Sequence, residues 1–328
     1  MKVHRIVFVL FVSTAFAGAD PDIYEDNLTR DEFIAAINSR AKTWKAGINQ
    51  GPEPVYMTTA GSASEAELRM LDPDPMLSRP RTDDLPETFD ARDHWPECPS
   101  LREVRNQGCC ASCYAVSVAA AMTDRWCIQS NGTQQHTFSS QDVASCCVGC
   151  GDCTGGYPHR VWWHWRSHGV VSGGEFDSGE GCRPYEVDAC VYGEPEPEEL
   201  ECVQQCRIGH PVGYEADKRY AVRSFHVLPE EEMIMWNIYL GGPVSATFQI
   251  YSDFSSYRSG VYRHTSGRHR GLHIVKLLGW GIENGTKYWL LANTWGSDWG
   301  DGGFVKFLRG ENHLGIESEV FGGNPRYD

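Results

Sequence analysis

Thirteen cysteines constrain this chain more than any other feature of its 328 residues, and the first of them stands at position 98. The chain begins like a secretory signal: Lys2 and Arg5 precede an apolar run over residues 6–16 and small residues up to Ala19. Residues 1–19 are therefore predicted to be a signal peptide that directs the rest into an oxidising compartment, where cysteines pair as disulfides. The odd number of cysteines leaves at least one thiol unpaired.

The charge of the chain restricts its partners. A net charge of −15 argues against a nucleic-acid or anionic-membrane partner, because either would need a basic surface. The apolar run of residues 6–16 is too short to cross a bilayer, and no later segment has the required length. We expect a soluble, acidic protein of one large or two medium domains.

One thiol stands apart from the others by its local sequence. A glycine-containing loop leads into an Ala-rich apolar run, residues 116–122, which predicts a buried helix ending near Asn131. Cys113 then lies at or just inside the N-terminus of this helix. Unpaired backbone N–H groups and the helix dipole favour a negative charge there, which lowers a thiol pKa and makes a nucleophile. Cys113 is the natural candidate for the unpaired cysteine.

The residues around Cys113 carry a known local signature. The sequence Cys110-Ala111-Ser112-Cys113-Tyr114 matches the pattern C-G-[SA]-C-[WY] of papain and cathepsin nucleophiles at every position except Ala111. On this match, and on longer stretches along nearly the whole chain, the sequence resembles the papain family of cysteine proteases, most closely its cathepsin B branch. The resemblance implies an α+β, two-lobed papain-like fold. A helical, disulfide-rich lobe would span residues 95–222 and a β-barrel-like lobe residues 223–328, with the active site in the cleft between them.

Residues 20–84 contain no cysteine, which predicts a role separate from that of the disulfide-rich remainder. An amphipathic helix is predicted there by apolar residues at helical spacing: Phe33, Ile34, Ile37, Ala41 and Trp44. The residues alone fit an ordinary packed helix as well, but their similarity to the cathepsin B propeptide favours an inhibitory propeptide that lies along the cleft. An exposed, Pro-rich linker at residues 72–84 follows. Residues 85–92 are similar to the start of mature cathepsin B, so the mature catalytic domain is expected to span residues 85–328.

A cysteine nucleophile needs a base, and histidine has a suitable intrinsic pKa. His273 begins an apolar strand that can present an imidazole across a cleft. His264 and His269 lie in a polar, Arg-rich loop and are weaker candidates. The family resemblance assigns the catalytic role to His273.

The resemblance also assigns the remaining catalytic roles. Asn293 would orient the imidazole, and Trp295 would shield the hydrogen bond between Asn293 and His273 from water. Gln107 would form an oxyanion hole together with the backbone N–H of Cys113. No cofactor or metal is expected to take part.

Substrate contacts follow from the resemblance as well. Gly155 and Gly156 match the glycine pair whose backbone binds an extended substrate. Glu319 matches the acidic residue at the base of the second subsite of cathepsin B. A basic substrate side chain would be tolerated there beside the usual bulky apolar ones.

Two departures from the family pattern affect the expected activity. Val191, Tyr192 and Gly193 stand where cathepsin B carries two adjacent histidines in a longer occluding loop. We therefore expect an endopeptidase with an open primed side and little peptidyl-dipeptidase activity. Ala111 replaces a glycine, and its methyl group narrows the cleft floor or disturbs a special backbone angle. This keeps open the alternative of a catalytically weak or inactive decoy or binding protein, although every residue that would perform the chemistry is present.

The remaining cysteines are expected to be structural. Cys147, Cys150 and Cys153 have the spacing of a metal or iron–sulfur site, but a secreted chain favours disulfides instead. The resemblance implies the pairs Cys98 with Cys127, Cys110 with Cys153, Cys146 with Cys202, Cys147 with Cys150, and Cys182 with Cys206. Cys109 has three open alternatives: to be free, to pair with Cys190, or to exchange with Cys110. His164 and His168 share one helix face, as zinc ligands can, but three neighbouring tryptophans favour a packed aromatic helix.

Expectations about modification and partners complete the sequence-based account. Three Asn-x-Thr motifs, at Asn27, Asn131 and Asn284, are candidate glycosylation sites. The chain is expected in the secretory pathway, either lysosomal or endosomal or secreted. The family implies protein or peptide substrates, the chain's own propeptide as inhibitor, cystatin-like inhibitors and a monomeric state.

Overall fold

The computed structural model describes residues 28–50, 54–58, 62–76, 85–190, 197 and 199–327. The predicted signal peptide, Asn27, the linker residues 77–84 and positions 191–193 lie outside the described residues. The helices are α1 (Arg30–Arg40), α2 (Glu65–Leu68), α3 (Ala91–His94), α4 (Cys113–Gln129), α5 (Ser140–Cys146), α6 (Pro158–Ser167), α7 (Tyr214–Asp217) and α8 (Glu231–Gly241). In the parts of the chain described here, no helix is both long and apolar enough to span a bilayer.

Helix α4 is the centre of the helical part. Alanine has the highest helix propensity, and its small side chain lets neighbouring elements approach closely. Every residue of α4 from Cys113 to Ile128 is buried. The helix packs against α5 and α6 on one side and against strands of the sheet on the other. It begins at Cys113, as predicted, and ends at Gln129. The core thus fixes the position of Cys113.

The other major element is a twisted sheet. Its strands and a small hairpin are β1 (Trp44–Ala46), β2 (Phe89–Asp90), β3 (Gly151–Asp152), β4 (Gly155–Gly156), β5 (Ala221–His226), β6 (Val244–Tyr251), β7 (Tyr257–Tyr262), β8 (His269–Glu283), β9 (Thr286–Ala292), β10 (Phe304–Leu308) and β11 (Glu319–Pro325). The nine-stranded sheet has the order β1-β7-β10-β9-β8-β6-β11-β5, with β2 also paired to β8, and β3 pairs with β4 alone. Strands β7 and β10 are parallel, and the other pairings between these strands are antiparallel.

Strand β8 carries the candidate base and is the longest strand described. It pairs with β6, β9 and β2, and residues 273–281 are buried. A strand that is buried on both faces has a continuous apolar sequence. The apolar run of residues 271–281 predicted β8 for this reason. The predicted β-barrel-like closure is wrong, because the described sheet ends in β1 and β5 and these two strands do not pair.

The predicted propeptide contributes one of the two sheet ends. Thr29 and Glu32 form a reciprocal capping box at the start of α1, in which the Glu32 carboxylate accepts from the Thr29 N–H at 2.8 Å. The predicted helical pattern extends to Trp44, but α1 ends at Arg40 and Trp44 begins β1. Pairing of β1 with β7 outweighs the local helical pattern there, because the Thr43 carbonyl accepts the Val261 N–H at 2.7 Å.

Disulfides join the loops of the helical lobe. The structure contains the five pairs that the resemblance implies: Cys98–Cys127, Cys110–Cys153, Cys146–Cys202, Cys147–Cys150 and Cys182–Cys206. A sixth joins Cys109 to Cys190, which resolves the alternatives that the sequence leaves open. It connects the loop before α4 to the residue that precedes the segment 191–196.

Candidate functional site

Cys113 is the free cysteine of the chain and the first residue of α4. Ser112 occupies the N-cap position but makes no capping hydrogen bond. Its hydroxyl instead lies 2.6 Å from the hydroxyl of Tyr185. The backbone N–H groups of Cys113 and Tyr114 are therefore left to face the sulfur, where they favour a negative charge.

His273 lies on β8 where this strand packs against the start of α4. The backbone N–H of the next residue, Ile274, is one of the groups that lower the pKa of the Cys113 thiol, against the larger opposing effect of burial. The Ile274 carbonyl also accepts from the Ser117 hydroxyl of α4 at 2.7 Å. Helix and strand are thus joined at Ile274, the residue that follows the candidate base in sequence.

The imidazole of His273 is oriented by Asn293, which directly follows β9. His273 Nε2 lies 2.7 Å from Asn293 Oδ1. An amide oxygen only accepts, so the proton must be on Nε2, and a neutral ring then carries its lone pair on Nδ1. Nδ1 is buried and has no hydrogen-bond partner among the described residues. This tautomer can take a proton from a thiol.

Trp295 packs beside this pair. Its ring centroid is 4.8 Å from that of His273, and the two planes are inclined by 32°. The ring centroids of Phe248 and Phe254 lie 5.7 and 6.3 Å from that of the imidazole. The hydrogen bond between His273 and Asn293 therefore lies in apolar surroundings, where it is stronger than in water.

The protonation states follow from burial. Burial raises the pKa of the Cys113 thiol to about 12, against the opposing effect of the N–H groups of Ile274, Tyr114 and Cys113. Burial lowers the pKa of His273 to about 4, although its bond to Asn293 acts in the other direction. In this covered state both groups are neutral around pH 7.

The side-chain amide of Gln107 is held in one orientation. Its Oε1 accepts from the Thr294 hydroxyl at 2.6 Å, and its Nε2 donates to the Cys110 carbonyl at 2.9 Å. The Thr294 hydroxyl is a contact that the sequence alone did not reveal, and a serine would supply the same group. Gln107 thus keeps an N–H donor directed into the cleft beside Cys113.

Part of the predicted propeptide accepts a hydrogen bond from the Gln107 side-chain amide. Gln107 Nε2 also donates to the Val55 carbonyl at 3.1 Å. Met57 forms a β-bridge with Leu272, and the Thr58 N–H donates to the Thr154 carbonyl at 2.9 Å. Residues 54–58 therefore lie across the cleft, with Val55 and Met57 in the same apolar cluster as Cys113.

The candidate substrate contacts belong to the catalytic domain and face a later part of the predicted propeptide, at residues 62 and 63. Gly155 and Gly156 form β4, and a Cβ on Gly156 would lie 2.4 Å from the Cys150 carbonyl oxygen. Glu319, the first residue of β11, lines a cavity of about 220 Å³ together with Gly156. Burial raises the pKa of Glu319, whereas the Ala63 N–H and the Ser62 hydroxyl, both on the predicted propeptide, lower it.

Ala111 and Tyr114, which flank the candidate nucleophile in the signature, are both accommodated. Ala111 is buried and lies outside the left-handed backbone region that would demand a glycine. Its N–H donates to the Cys153 carbonyl at 2.9 Å. Tyr114 is buried against Gly151 and Gly156, which have no side chains to clash with its ring.

Two of the three candidate glycosylation sites lie within the described residues. Asn131 and Asn284 are both exposed, in turns with φ of 53° and 48°. Asn27 is outside the described residues. Whether any of them carries a glycan stays a prediction.

Comparisons with known proteins agree with this geometry. Residues 85–323 match the model of the papain family cysteine proteases. The chain is 41% identical to a gut-specific cysteine proteinase of Caenorhabditis elegans, over 99% of this chain and all of that protein. It is 43% identical to cathepsin B-like cysteine proteinase 1 of Ostertagia ostertagi, over 74% of each chain.

A solved structure extends the similarity to the predicted propeptide. Procathepsin B S9 from Trypanosoma congolense superimposes with a TM-score of 0.74 at 33% identity, over 92% of this chain and 99% of that one. A digestive procathepsin L2 from Tenebrio molitor, 23% identical, shares the fold with a TM-score of 0.66. The two-lobed papain-like fold is thereby confirmed, and the chain belongs to the papain family of cysteine proteases as a cathepsin B-like member.

Proposed function

We propose that the protein is a zymogen of a cathepsin B-like endopeptidase in which Cys113 is the nucleophile, His273 the base and Asn293 the group that orients the base. The observation that carries this proposal is the 2.7 Å contact between His273 Nε2 and Asn293 Oδ1, on a strand that packs against α4, the helix whose first residue is the free thiol. It supplies the nucleophile, base and orienting group that a thiol protease needs.

The reaction follows from these positions. His273 Nδ1 takes the Cys113 proton, and the thiolate attacks the substrate carbonyl carbon to form a tetrahedral oxyanion. The imidazolium then donates its proton to the leaving amine, which breaks the peptide bond and leaves an acyl-enzyme. Water, deprotonated by the same imidazole, attacks the thioester and regenerates the thiol.

The oxyanion would be stabilised by Gln107 Nε2 and by the backbone N–H of Cys113. The Thr294 hydroxyl and the Cys110 carbonyl hold the Gln107 amide before substrate arrives. Such a preorganised donor lowers the barrier because it needs no reorientation during the reaction. Replacing Gln107 by Ala should lower kcat by roughly two to three orders of magnitude.

Residues 20–84 are proposed to act as an inhibitory propeptide. Val55 occupies the Gln107 donor, and residues 54–58 cover Cys113, which is 1% exposed. Removal of this segment would give a peptide substrate access to the thiol. It would also let water reach Cys113 and His273. The pKa of the thiol, raised by burial, would then fall, and the pKa of the imidazole, lowered by burial, would rise.

The activity is proposed to be internal cleavage of polypeptides. The positions after Cys190 hold Val191, Tyr192 and Gly193, without the histidine pair that would bind a substrate C-terminus. Glu319 at the base of the second subsite favours acceptance of basic as well as apolar side chains. The signal-like N-terminus and the relative named gut-specific support a secreted or lysosomal site of action.

The test is a comparison of two peptide substrates by the processed enzyme. One is blocked at its C-terminus and can be cleaved only internally, and the other has a free C-terminus from which a dipeptide can be released. The proposal expects internal cleavage to be faster, and Cys113→Ala to abolish it. Robust release of C-terminal dipeptides would contradict the endopeptidase assignment, and an intact blocked peptide would contradict proteolysis itself.

A further inference from the structure

The predicted propeptide continues beyond the cleft and binds a second surface of the catalytic domain. Helix α2 lies against α6, where Glu67 Oε1 is 2.7 Å from Arg160 and 3.2 Å from His159. The other carboxylate oxygen of Glu67 accepts from the N–H and hydroxyl of Ser64 at 2.9 and 2.7 Å. The end of α2 is thus anchored by one carboxylate to two neighbouring residues of α6.

A second ionic contact lies six residues further along α6. Asp72 Oδ2 is 3.2 Å from Arg166, and it also accepts the Ser224 N–H of β5 at 3.0 Å. The Asp72 N–H donates in turn to the Ser224 carbonyl at 2.7 Å. Two acidic side chains, five positions apart, therefore contact two arginines on one helix.

Apolar contacts lie between these two ion pairs. Leu68 and Leu71 pack on the apolar cluster that contains Trp162 and Trp165. Beside them is a cavity of about 220 Å³, formed by Met70 and Leu71 of the predicted propeptide and by residues of α6 and the neighbouring disulfide loop. The surface on α6 therefore combines two cationic ends with an apolar middle.

This surface, defined by His159, Arg160, Trp163 and Arg166 and called the α6 surface below, would be vacated when the propeptide leaves. Its arginines would then lose their carboxylate partners, in a chain whose net charge is −15. Its shape and charge match a segment with the pattern acidic-Leu-x-x-Leu-acidic, as in residues 67–72. A surface that selects one such segment can select another with the same pattern.

We propose that, in the processed enzyme, the α6 surface is an exosite that binds an acidic, leucine-containing segment of protein substrates. The inference rests on the proposed function, because it requires the propeptide to be removed. The α6 surface lies beyond Glu319, which contacts Ser62 and Ala63, whereas the active site contacts residues 54–58. Substrates of two or three residues do not reach it, so the exosite raises the rate for proteins and leaves that for short peptides unchanged.

The first test measures binding to the processed enzyme after alkylation of Cys113. The probe is a fluorescent peptide with the sequence of residues 64–74, and the variants are Arg160→Glu and, as a matched charge change, Arg207→Glu. Arg207 is exposed and donates to the Gly181 carbonyl, away from the α6 surface. We expect Arg160→Glu to weaken binding by about tenfold and Arg207→Glu to leave it unchanged. A probe carrying Glu67→Lys should regain affinity for the Arg160→Glu enzyme.

The second test measures turnover. A protein substrate carries the sequence of residues 64–74 next to a cleavable linker, and a fluorogenic dipeptide serves as the short substrate. Arg160→Glu should lower kcat/KM for the protein substrate severalfold and leave that for the dipeptide within experimental error. Equal binding of the probe to all enzymes, or an unchanged ratio of the two kcat/KM values, would overturn the exosite. Failure of the unaltered enzyme to hydrolyse the dipeptide would contradict the proposed function instead, and the binding test does not depend on it.

Discussion

At the scale of single residues, Tyr185 connects two parts of the candidate site that are distant in sequence. Its hydroxyl donates to the Gln107 carbonyl at 2.7 Å and lies 2.6 Å from the Ser112 hydroxyl. One bond positions the loop that carries the proposed oxyanion donor, and the other keeps Ser112 from capping α4. Tyr185 thus acts as a positioning residue for both the proposed nucleophile and the proposed oxyanion hole.

Replacing Tyr185 by Phe should therefore change the pH profile of the processed enzyme. Loss of the bond to the Gln107 carbonyl is expected to lower kcat by about fivefold to tenfold. The released Ser112 hydroxyl can accept from the N–H groups that otherwise face the thiolate, so the acidic limb of kcat/KM should move to higher pH. The measurement is kcat/KM for a short peptide across the pH range.

Tyr214→Phe is the matched control for Tyr185→Phe. Tyr214 donates to Asp142 at 2.6 Å in the helical lobe, away from Cys113. Loss of this hydrogen bond should lower the free energy of unfolding of the enzyme without moving the pH profile of kcat/KM. An unshifted profile in Tyr185→Phe would show that Tyr185 has a structural role alone.

The buried state of Cys113 makes a second prediction at this scale. The thiol pKa is raised to about 12 in the covered state, so the thiol stays neutral below that pH and its reactivity should climb with every rise in pH. In the intact zymogen, alkylation of Cys113 by iodoacetamide should increase steadily from pH 6 to 10. After propeptide removal the rate should reach a plateau at lower pH. Mass spectrometry of the Cys113 peptide measures both, and a plateau below pH 8 in the intact zymogen would contradict the account.

At the scale of elements, strand β1 attaches the predicted propeptide to the edge of the sheet. Trp44 packs edge-on against Tyr262 at 5.1 Å and stacks at 6.2 Å from Tyr257, and its Nε1 donates to the Thr265 hydroxyl at 3.1 Å. Gly260, with φ of 84°, allows the Thr43 carbonyl to approach, since a Cβ there would lie 2.4 Å from that oxygen. This anchor lies apart from the active site.

Trp44→Ala in the zymogen should therefore accelerate activation without changing the processed enzyme. Truncating a buried tryptophan costs about 3–5 kcal/mol, which should weaken attachment of the propeptide strongly. Lys45→Ala is the control, because Lys45 lies on the same strand with its side chain exposed. The measurement is the rate at which peptide-hydrolysing activity appears. Equal rates in Trp44→Ala and the unaltered zymogen would show that β1 does not hold the propeptide in place.

The elements also show where local sequence patterns succeed and fail. The Ala-rich run predicted α4, and the apolar run predicted β8. Both predictions succeeded because a fully buried element is apolar along its length, and that is visible in the local sequence. The helical pattern ending at Trp44 failed, because pairing with β7 is a long-range interaction that local spacing does not encode. The expected barrel closure failed for the same reason, since the pairing of sheet ends is a property of the whole fold.

At the scale of the whole molecule, the candidate site is formed where the helical lobe meets the sheet. The local signature around Cys113 and the strand of His273 allowed these residues to be proposed from sequence. The bond from Tyr185 to Ser112 and the disulfide between Cys109 and Cys190 join distant segments, so spacing alone gave no unique answer. The propeptide contacts with the α6 surface were likewise invisible before the chain was folded.

The central claim is that Cys113 is a nucleophile held inactive by the residues that cover it. The most direct measurement is labelling by an epoxide probe for cysteine proteases. The samples are the intact zymogen, the processed protein and the processed Cys113→Ala variant. An external protease removes the propeptide from the variant. The account predicts stoichiometric labelling of the processed protein at Cys113, slow labelling of the zymogen and none of the variant. Absence of labelling in correctly processed protein, or labelling that persists in Cys113→Ala, would contradict it.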